Sequence, residues 1–244
     1  IINIEREIRK FKPEIFFNTT VGPWASTAWL NISDAVWRHH NDHGYAGTNS
    51  NSREKWITYR DRLVYQNYVQ NSPICPINTI MTHGFILSKY GNVSKDMTYR
   101  SVKNELRCAF ACGSGMVELY NDYELMDQIS NGKLWKDLAD CIKWQKKNAD
   151  VLMDAHWVGG NPWNGSKAAI YGWAAWNGKK SCLTLRNGAT TAQSITLTLR
   201  EALEIPANLE GSIVMTKAFT DQLTLSGLTE GTGIDIDTPL TITL

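Results

Sequence analysis

The sequence predicts an α/β fold, with parallel β/α units through residues 1–163 and an antiparallel β-sandwich through 164–244. Three observations predict it. Strand-like and helical patterns alternate as far as Gly159, and β-branched runs, some alternating, replace them beyond it. Asn177-Gly178 then separates two such runs, the strongest short-range signal for a hairpin.

In chain order, Ile4, Ile8 and Phe11 share one face of a surface helix that Pro13 ends. "EIFFNTT" is a short apolar run entering a polar turn, with its strand expected over about Ile15 to Asn18, and polar loop is expected from Val21 to about Arg53. "REKWITYRDRLVYQNYVQ" places Trp56, Tyr59, Leu63 and Tyr68 at roughly helical spacing, with Arg60 and Asp61 expected as a salt-bridged helix surface. "PICPINTIMTHGF" predicts a buried strand with proline at its entry, "SVKNELRCAFACGSG" a helix ending at glycines, and "MVELYND" another strand. The clearest helix is "GKLWKDLADCIKWQKKNADVLM", where Leu134, Leu138, Ile142, Ala149 and Leu152 keep the 3.6 period around a polar Gln145. "NPWNGSK" has the composition of a linker. Beyond it, "AAIYGWAAW" and "KKSCLTLRN" flank the Asn-Gly turn, and "QSITLTLR", "GSIVMTKAF" and "GIDIDTPLTITL" supply further strands. Trp173 or Trp176 is expected to pack this part on the preceding one.

Composition narrows the function classes. The chain has 244 residues and a formal net charge of +1, from 25 Lys and Arg against 24 Asp and Glu. No basic tract stands out, so nucleic acid is not an expected partner. No apolar run approaches the roughly 18 residues of a membrane helix, so no membrane partner is expected either. Five cysteines without a CxxC pair argue for buried free thiols rather than a disulfide framework. Ten tryptophans offer flat apolar faces suited to the C–H faces of sugars. Asn18, Asn31, Asn92 and Asn164 open N-x-S/T triplets, which matter only in a glycosylating source. The opening residues carry no signal-peptide pattern, and the chain is expected to begin within a domain; a secreted or periplasmic setting is favoured.

"DAVWRHHNDH", residues 34–43, gathers three of the five histidines and two carboxylates. One reading is a solvated loop. A second is a metal site, because His39 and His43 stand four apart with Asp42 beside them, although Asn41-Asp42-His43-Gly44 is turn chemistry. The third is a catalytic carboxyl on the loop after the "EIFF" strand, since barrel enzymes carry their chemistry there. Arg38, four residues before Asp42, suits a sugar-binding or carboxylate-holding cation. Asp34 is the alternative acid, or else a helix N-cap. Trp24, Trp29 and Trp37 flank the stretch as candidate stacking or core residues, Asn18 and Thr19 follow the strand, and His83 ends the next one. Asp122 is either a pocket carboxylate or the start of a loop.

The order "FFNTT…W…SDAVWRHHND" resembles the segment after barrel strand six in the clan of retaining α-galactosidases and α-N-acetylgalactosaminidases, where R-x-x-x-D ends in the acid/base aspartate. "GSGMVELYNDYELM" resembles that clan's strand eight and its loop. "NADVLMDAHWVGGNPWNGSKAAIYGWAAWNGKKSCLTLRN" resembles its passage into a C-terminal β-domain. Nearly the whole chain resembles the C-terminal portion of bacterial glycosidase-like proteins of the clan, with His40 and Asn41 where the family has its glycine. The resemblance implies the second half of a (β/α)8 TIM barrel over 1–163 followed by a β-sandwich over 164–244. It implies Asp42 as general acid/base, Arg38 as a substrate contact, and a nucleophilic aspartate in an N-terminal half of the barrel. Asn18, Trp24, Trp37 and His83 complete the expected substrate-binding set. The reaction implied is retaining hydrolysis of a terminal α-galactosyl or α-N-acetylgalactosaminyl linkage, with no cofactor. The implied partners are the carbohydrate and the other half of the barrel. Two rivals stand beside it: a non-catalytic carbohydrate-binding protein, and a metal-dependent hydrolase at His39, Asp42 and His43.

Overall fold

A computed structural model describes residues 1–19, 26–72, 75–88, 96–114, 116–222 and 228–244, without the side chains of 82–84, 116 and 117. The fold is mixed α/β, with seven α-helices and four sheets among the described residues, none of them closed into a barrel. Helix α1 (Ile2–Phe11) is amphipathic and buries none of its residues. Strands β1 (Asn18–Thr19), β2 (Ala35–Trp37), β3 (Ile80–Leu87) and β4 (Met116–Asn121) form one parallel sheet in sequence order.

Two expectations are corrected at its start. The strand sought at Ile15–Asn18 forms only at Asn18–Thr19. The stretch read as polar loop contains a short 3-10 turn, Thr27–Asn31, and the whole of β2. Three residues are too few to show a period, yet Ala35, Val36 and Trp37 are all buried, as a strand covered on both faces must be.

Helix α2 (Ser52–Val64) is capped by the Asn51 side chain, which accepts from the amides of Arg53 and Glu54, and it runs on into one π-helical turn over Tyr65–Gln70. Helix α3 (Tyr99–Ala111) starts from a Thr98–Ser101 capping box. Helices α4 (Tyr123–Ser130) and α5 (Lys133–Lys147) follow, then α6 (Ala149–Leu152). One face of the sheet meets these helices. Ile80 packs on Val64 and Tyr68, while Phe85 and Leu87 pack on Val102, Leu106, Met126, Leu134 and Leu138. Helix α5 buries Leu134, Leu138 and Cys141, the face its spacing predicts.

Strands β5 (His156–Gly159), β6 (Tyr171–Trp176) and β7 (Ser181–Arg186) form an antiparallel sheet. The Asn177-Gly178 hairpin is present: Asn177 Oδ1 accepts from the amides of Lys179 and Lys180, and Gly178 takes φ +87°. Gly172 is required by close approach, since a Cβ there would lie 1.7 Å from the Thr184 carbonyl oxygen. Strand β8 (Ser194–Leu197) is followed by the short helix α7 (Leu199–Ala202) and by β9 (Ser212–Val214), β10 (Gly233–Asp235) and β11 (Leu240–Thr243). Two further antiparallel ladders result, β8 with β11 and β9 with β10. All three ladders contribute to one apolar cluster around Ala174, Leu197, Ile236 and Leu203. Trp173 is buried beside Cys112 at the end of α3, and all five cysteines are free thiols.

Arg60 and Asp61, expected on a helix surface, are buried. Helix α2 lies between α3 and the β6–β7 hairpin, so its charged side chains have to find partners inside. Glu105 of α3, fully buried, pairs with both Arg53 and Arg60. The Tyr171 hydroxyl donates to Asp61 at 2.6 Å, and Arg186 donates to that hydroxyl at 2.7 Å, to Thr58 at 3.0 Å and to Glu54 at 2.9 Å. Burial pushes Asp61 above the usual carboxylate value, against the opposing pull of Arg186.

Removing one member of such a network strands its partners without water. Glu105→Ala should lower unfolding stability by about 3–5 kcal/mol in urea denaturation, leaving two arginines buried and unpaired. A loss under about 1 kcal/mol would show that the pair is no better than a surface bridge.

Candidate active site

The residues 38–44 follow β2, not β1, and leave the sheet at its C-terminal end. The Arg38 amide donates to the Met81 carbonyl at 3.2 Å, so the ladder continues one residue beyond β2. The chain then turns through two successive left-handed residues, His39 at φ +73° and His40 at φ +67°. Side chains other than glycine reach that region at a cost of about 1–2 kcal/mol each, so the surroundings must hold them there.

Arg38 is what holds them. Its side chain is fully buried, and its guanidinium donates to the carbonyls of His39 (3.0 Å), Asn41 (2.8 Å) and Asp42 (3.0 Å). The planar group also lies over the Trp37 ring at 4.6 Å and the Tyr59 ring at 5.7 Å. Burial, reinforced by Arg60, lowers its pKa to about 10, which leaves it charged at neutral pH. Helix α2 and its π-turn hold the loop from below. Tyr68 donates to the Trp37 carbonyl (2.9 Å), Asn67 to the Arg38 carbonyl (3.2 Å) and Trp56 to the Asp42 carbonyl (3.3 Å). Trp37 is buried and donates through its indole to the His40 carbonyl at 3.2 Å.

The Asp42 side chain is exposed on this fixed loop, and its charge reaches Glu118 and Tyr120 of β4. Burial first, then Asp42, raises the Glu118 pKa above the usual carboxylate value, while a hydrogen bond from the Tyr120 hydroxyl opposes the rise. Glu118 and Tyr120 did not emerge from the sequence, where "MVELYND" offered only Asp122 as a pocket carboxylate. A lone glutamate between Val117 and Leu119 in a strand-like apolar run was the available signal.

The other expected residues are distributed as follows. Asn18 lies on the sheet face it shares with Ala35, its Nδ2 donating to the Met81 sulfur at 2.6 Å and its Oδ1 buried with no hydrogen-bond partner among the described residues. Asp34 is neither a helix N-cap nor near Asp42. It enters β2 at the opposite, N-terminal end of the sheet, where it accepts from Arg9 (3.0 Å) and the Phe17 amide (2.8 Å). Trp29 is half-buried in the 3-10 turn. Asp122 caps α4, accepting from the Leu125 amide. Trp24 and the side chain of His83 lie outside the described residues.

For the metal reading, the rings of His39 and His40 meet edge to face at 4.7 Å, and His43 stands 6.2 Å from the Trp56 ring. Among the described residues, no three His, Cys, Asp or Glu side chains converge as metal ligands. No described helix is long and apolar enough to cross a membrane.

The guanidinium fork spans three carbonyls that a compact ammonium cannot span together. Arg38→Lys should therefore cost about 2 kcal/mol of unfolding stability and speed amide hydrogen exchange across 39–43. An unchanged denaturation midpoint with unchanged exchange would mean that the loop does not depend on the fork.

No protein-family model, curated protein or solved structure matches the chain.

Proposed function

We propose that the chain is part of a retaining glycoside hydrolase acting on terminal α-galactosyl or α-N-acetylgalactosaminyl linkages, with Asp42 as its general acid/base. The observation that carries the reading is an exposed carboxylate on a rigidly held loop at the C-terminal end of a parallel sheet. Four neighbouring parallel strands in sequence order, with helices packed on one face, also suit an arc of a (β/α)8 barrel. Three antiparallel ladders around a common core suit a β-sandwich after it.

The chemistry requires a second carboxylate. In the first displacement a nucleophilic carboxylate attacks the anomeric carbon while Asp42 protonates the departing glycosidic oxygen. In the second, Asp42 takes the proton of a water that attacks the same carbon, giving retention. The nucleophile is assigned to an N-terminal half of the same barrel. Support for such a partner comes from the outer edge of β1, which pairs with no described strand, and from α1, whose Ile2, Ile4 and Phe11 stand in solvent. Arg38 enters this scheme as the positioning residue of the Asp42 loop.

In the intact protein, Asp42→Asn should slow cleavage of natural glycosides by roughly a hundredfold to ten-thousandfold. Aryl glycosides with good leaving groups should lose much less in their first step, and azide should rescue them. Equal losses on both substrate types without rescue would remove Asp42 from the acid/base role. The 244-residue chain by itself should cleave neither aryl α-galactoside nor aryl α-N-acetylgalactosaminide, because an acid without a nucleophile protonates a group that nothing displaces. An active, monodisperse monomer by light scattering would place the nucleophile within these residues and overturn the half-barrel assignment.

A further inference from the structure

We infer that a cavity between α2, α3 and β6 is a binding site for one buried water molecule, which accepts a hydrogen bond from the Trp173 indole and donates one to the Asp61 carboxylate. The inference is independent of the glycosidase reading and goes beyond it.

The site is built where these elements meet. Its volume is about 20 Å3, and its lining includes Asp61 and Val64 of α2, Cys108 and Ala109 of α3, Ile80 of β3 and Trp173 of β6. Such a volume admits one water and little else. Trp173 is 3% exposed, and its indole N–H has no hydrogen-bond partner among the described residues. Buried donors of that kind are rare in native proteins, because the bond to water lost on folding is not replaced. Alternation along β6 explains why the group is there. Tyr171, Trp173 and Ala175 share the face turned to the helices, while Ala174 faces the common cluster of the antiparallel ladders.

The chemistry of the lining selects the occupant. Asp61 accepts from Tyr171 through Oδ2 at 2.6 Å, and among the described residues no donor reaches its Oδ1. The Cys108 thiol, which burial pushes up to about 12, stays protonated and is a weak donor. A ligand here must therefore accept from Trp173 and donate to Asp61. An anion would meet the Asp61 charge, a metal cation would meet the Arg60 charge, and an apolar molecule would satisfy neither polar group. Water meets both demands, and with Cys108 it has the three partners that buried waters usually keep. The rival arrangement lays the indole N–H on a ring face, since Trp173 meets Trp157 and Tyr171 edge to face at 5.6 and 5.9 Å.

The test combines a high-resolution crystal structure of the intact protein with NMR of its Trp173 indole proton, whose signal is identified by its loss in Trp173→Phe. Expected are density for one water within hydrogen-bond reach of Trp173 Nε1 and Asp61, and a cross-relaxation peak between the indole proton and water with the sign of a long-lived contact. Ala109→Val adds methyl groups to the cavity wall and should expel the occupant. Water-oxygen relaxation dispersion, which registers long-lived waters, should then lose the contribution of one. The crystal density carries the test should either variant fail to fold. A cavity without water density, with the indole proton in contact with the Trp157 or Tyr171 ring and not with water, would overturn the inference. Density for an ion at that place would overturn it too, as would an unchanged dispersion in folded Ala109→Val.

Discussion

The position of α2 is the constraint on which the rest of the structure depends, and buried charge fixes it. Helix α2 presents Arg53, Arg60 and Asp61 to the interior, where unpaired charges would be intolerable. Glu105 answers the two arginines from α3, while Tyr171 and Arg186 answer Asp61 and Glu54 from β6 and β7. These partners come from three distant stretches of chain, so α2 can be satisfied only when all three elements are in place. Apolar packing alone is tolerant of small displacements; hydrogen-bonded charge inside a protein is far less so. The network therefore favours one relative placement of α2, α3 and the hairpin over neighbouring alternatives.

That placement is passed on to the site. The same helix carries Trp56 and Tyr59, and its π-helical extension carries Asn67 and Tyr68. The carbonyls of Trp37, Arg38 and Asp42 are held by donors from this one element. Gly44 admits no side chain because a Cβ there would meet the Tyr59 ring at 2.6 Å. Arg38 then gathers the remaining carbonyls from within the loop. With His39 and His40 both left-handed, the loop would be strained if free. Its geometry is instead over-determined by an arginine beneath it and a helix behind it. A catalytic carboxyl needs this kind of support, because proton transfer depends on distances that a mobile loop would not keep.

What could be read from the sequence, and what could not, divides along physical lines. Helix α5 was legible because Leu134 and Leu138 repeat with the period of a helix over several turns. The β6–β7 hairpin was legible because Asn177-Gly178 specifies its own turn. Strand β2 was not, since three apolar residues beside three histidines show no period. The interior role of Asp61 depends on Tyr171, which is 110 residues away in the chain. Of the candidate site, the pairing of Arg38 with the Asp42 segment was visible from their spacing, yet Arg38 was expected to reach a sugar and instead grips the backbone. Asp34 looked equivalent to Asp42 in composition, and only the direction of β2 separates them to opposite ends of the sheet. Glu118 was hidden for the same reason, because its relation to Asp42 comes from parallel register and from a bulge in the strand between them.

The division of labour among these groups follows from charge. A cation close to Asp42 would ordinarily stabilise its ionised form, but Arg38 directs its N–H groups at carbonyl oxygens, including the carbonyl of Asp42 itself. The acid/base role proposed for Asp42 would be poorly served by a tight ion pair, which favours one protonation state throughout. An arginine committed to the backbone fixes where Asp42 stands while leaving that residue exposed. Glu118 lies on β4, two strands from β2, where burial and the Asp42 charge both act against its ionisation.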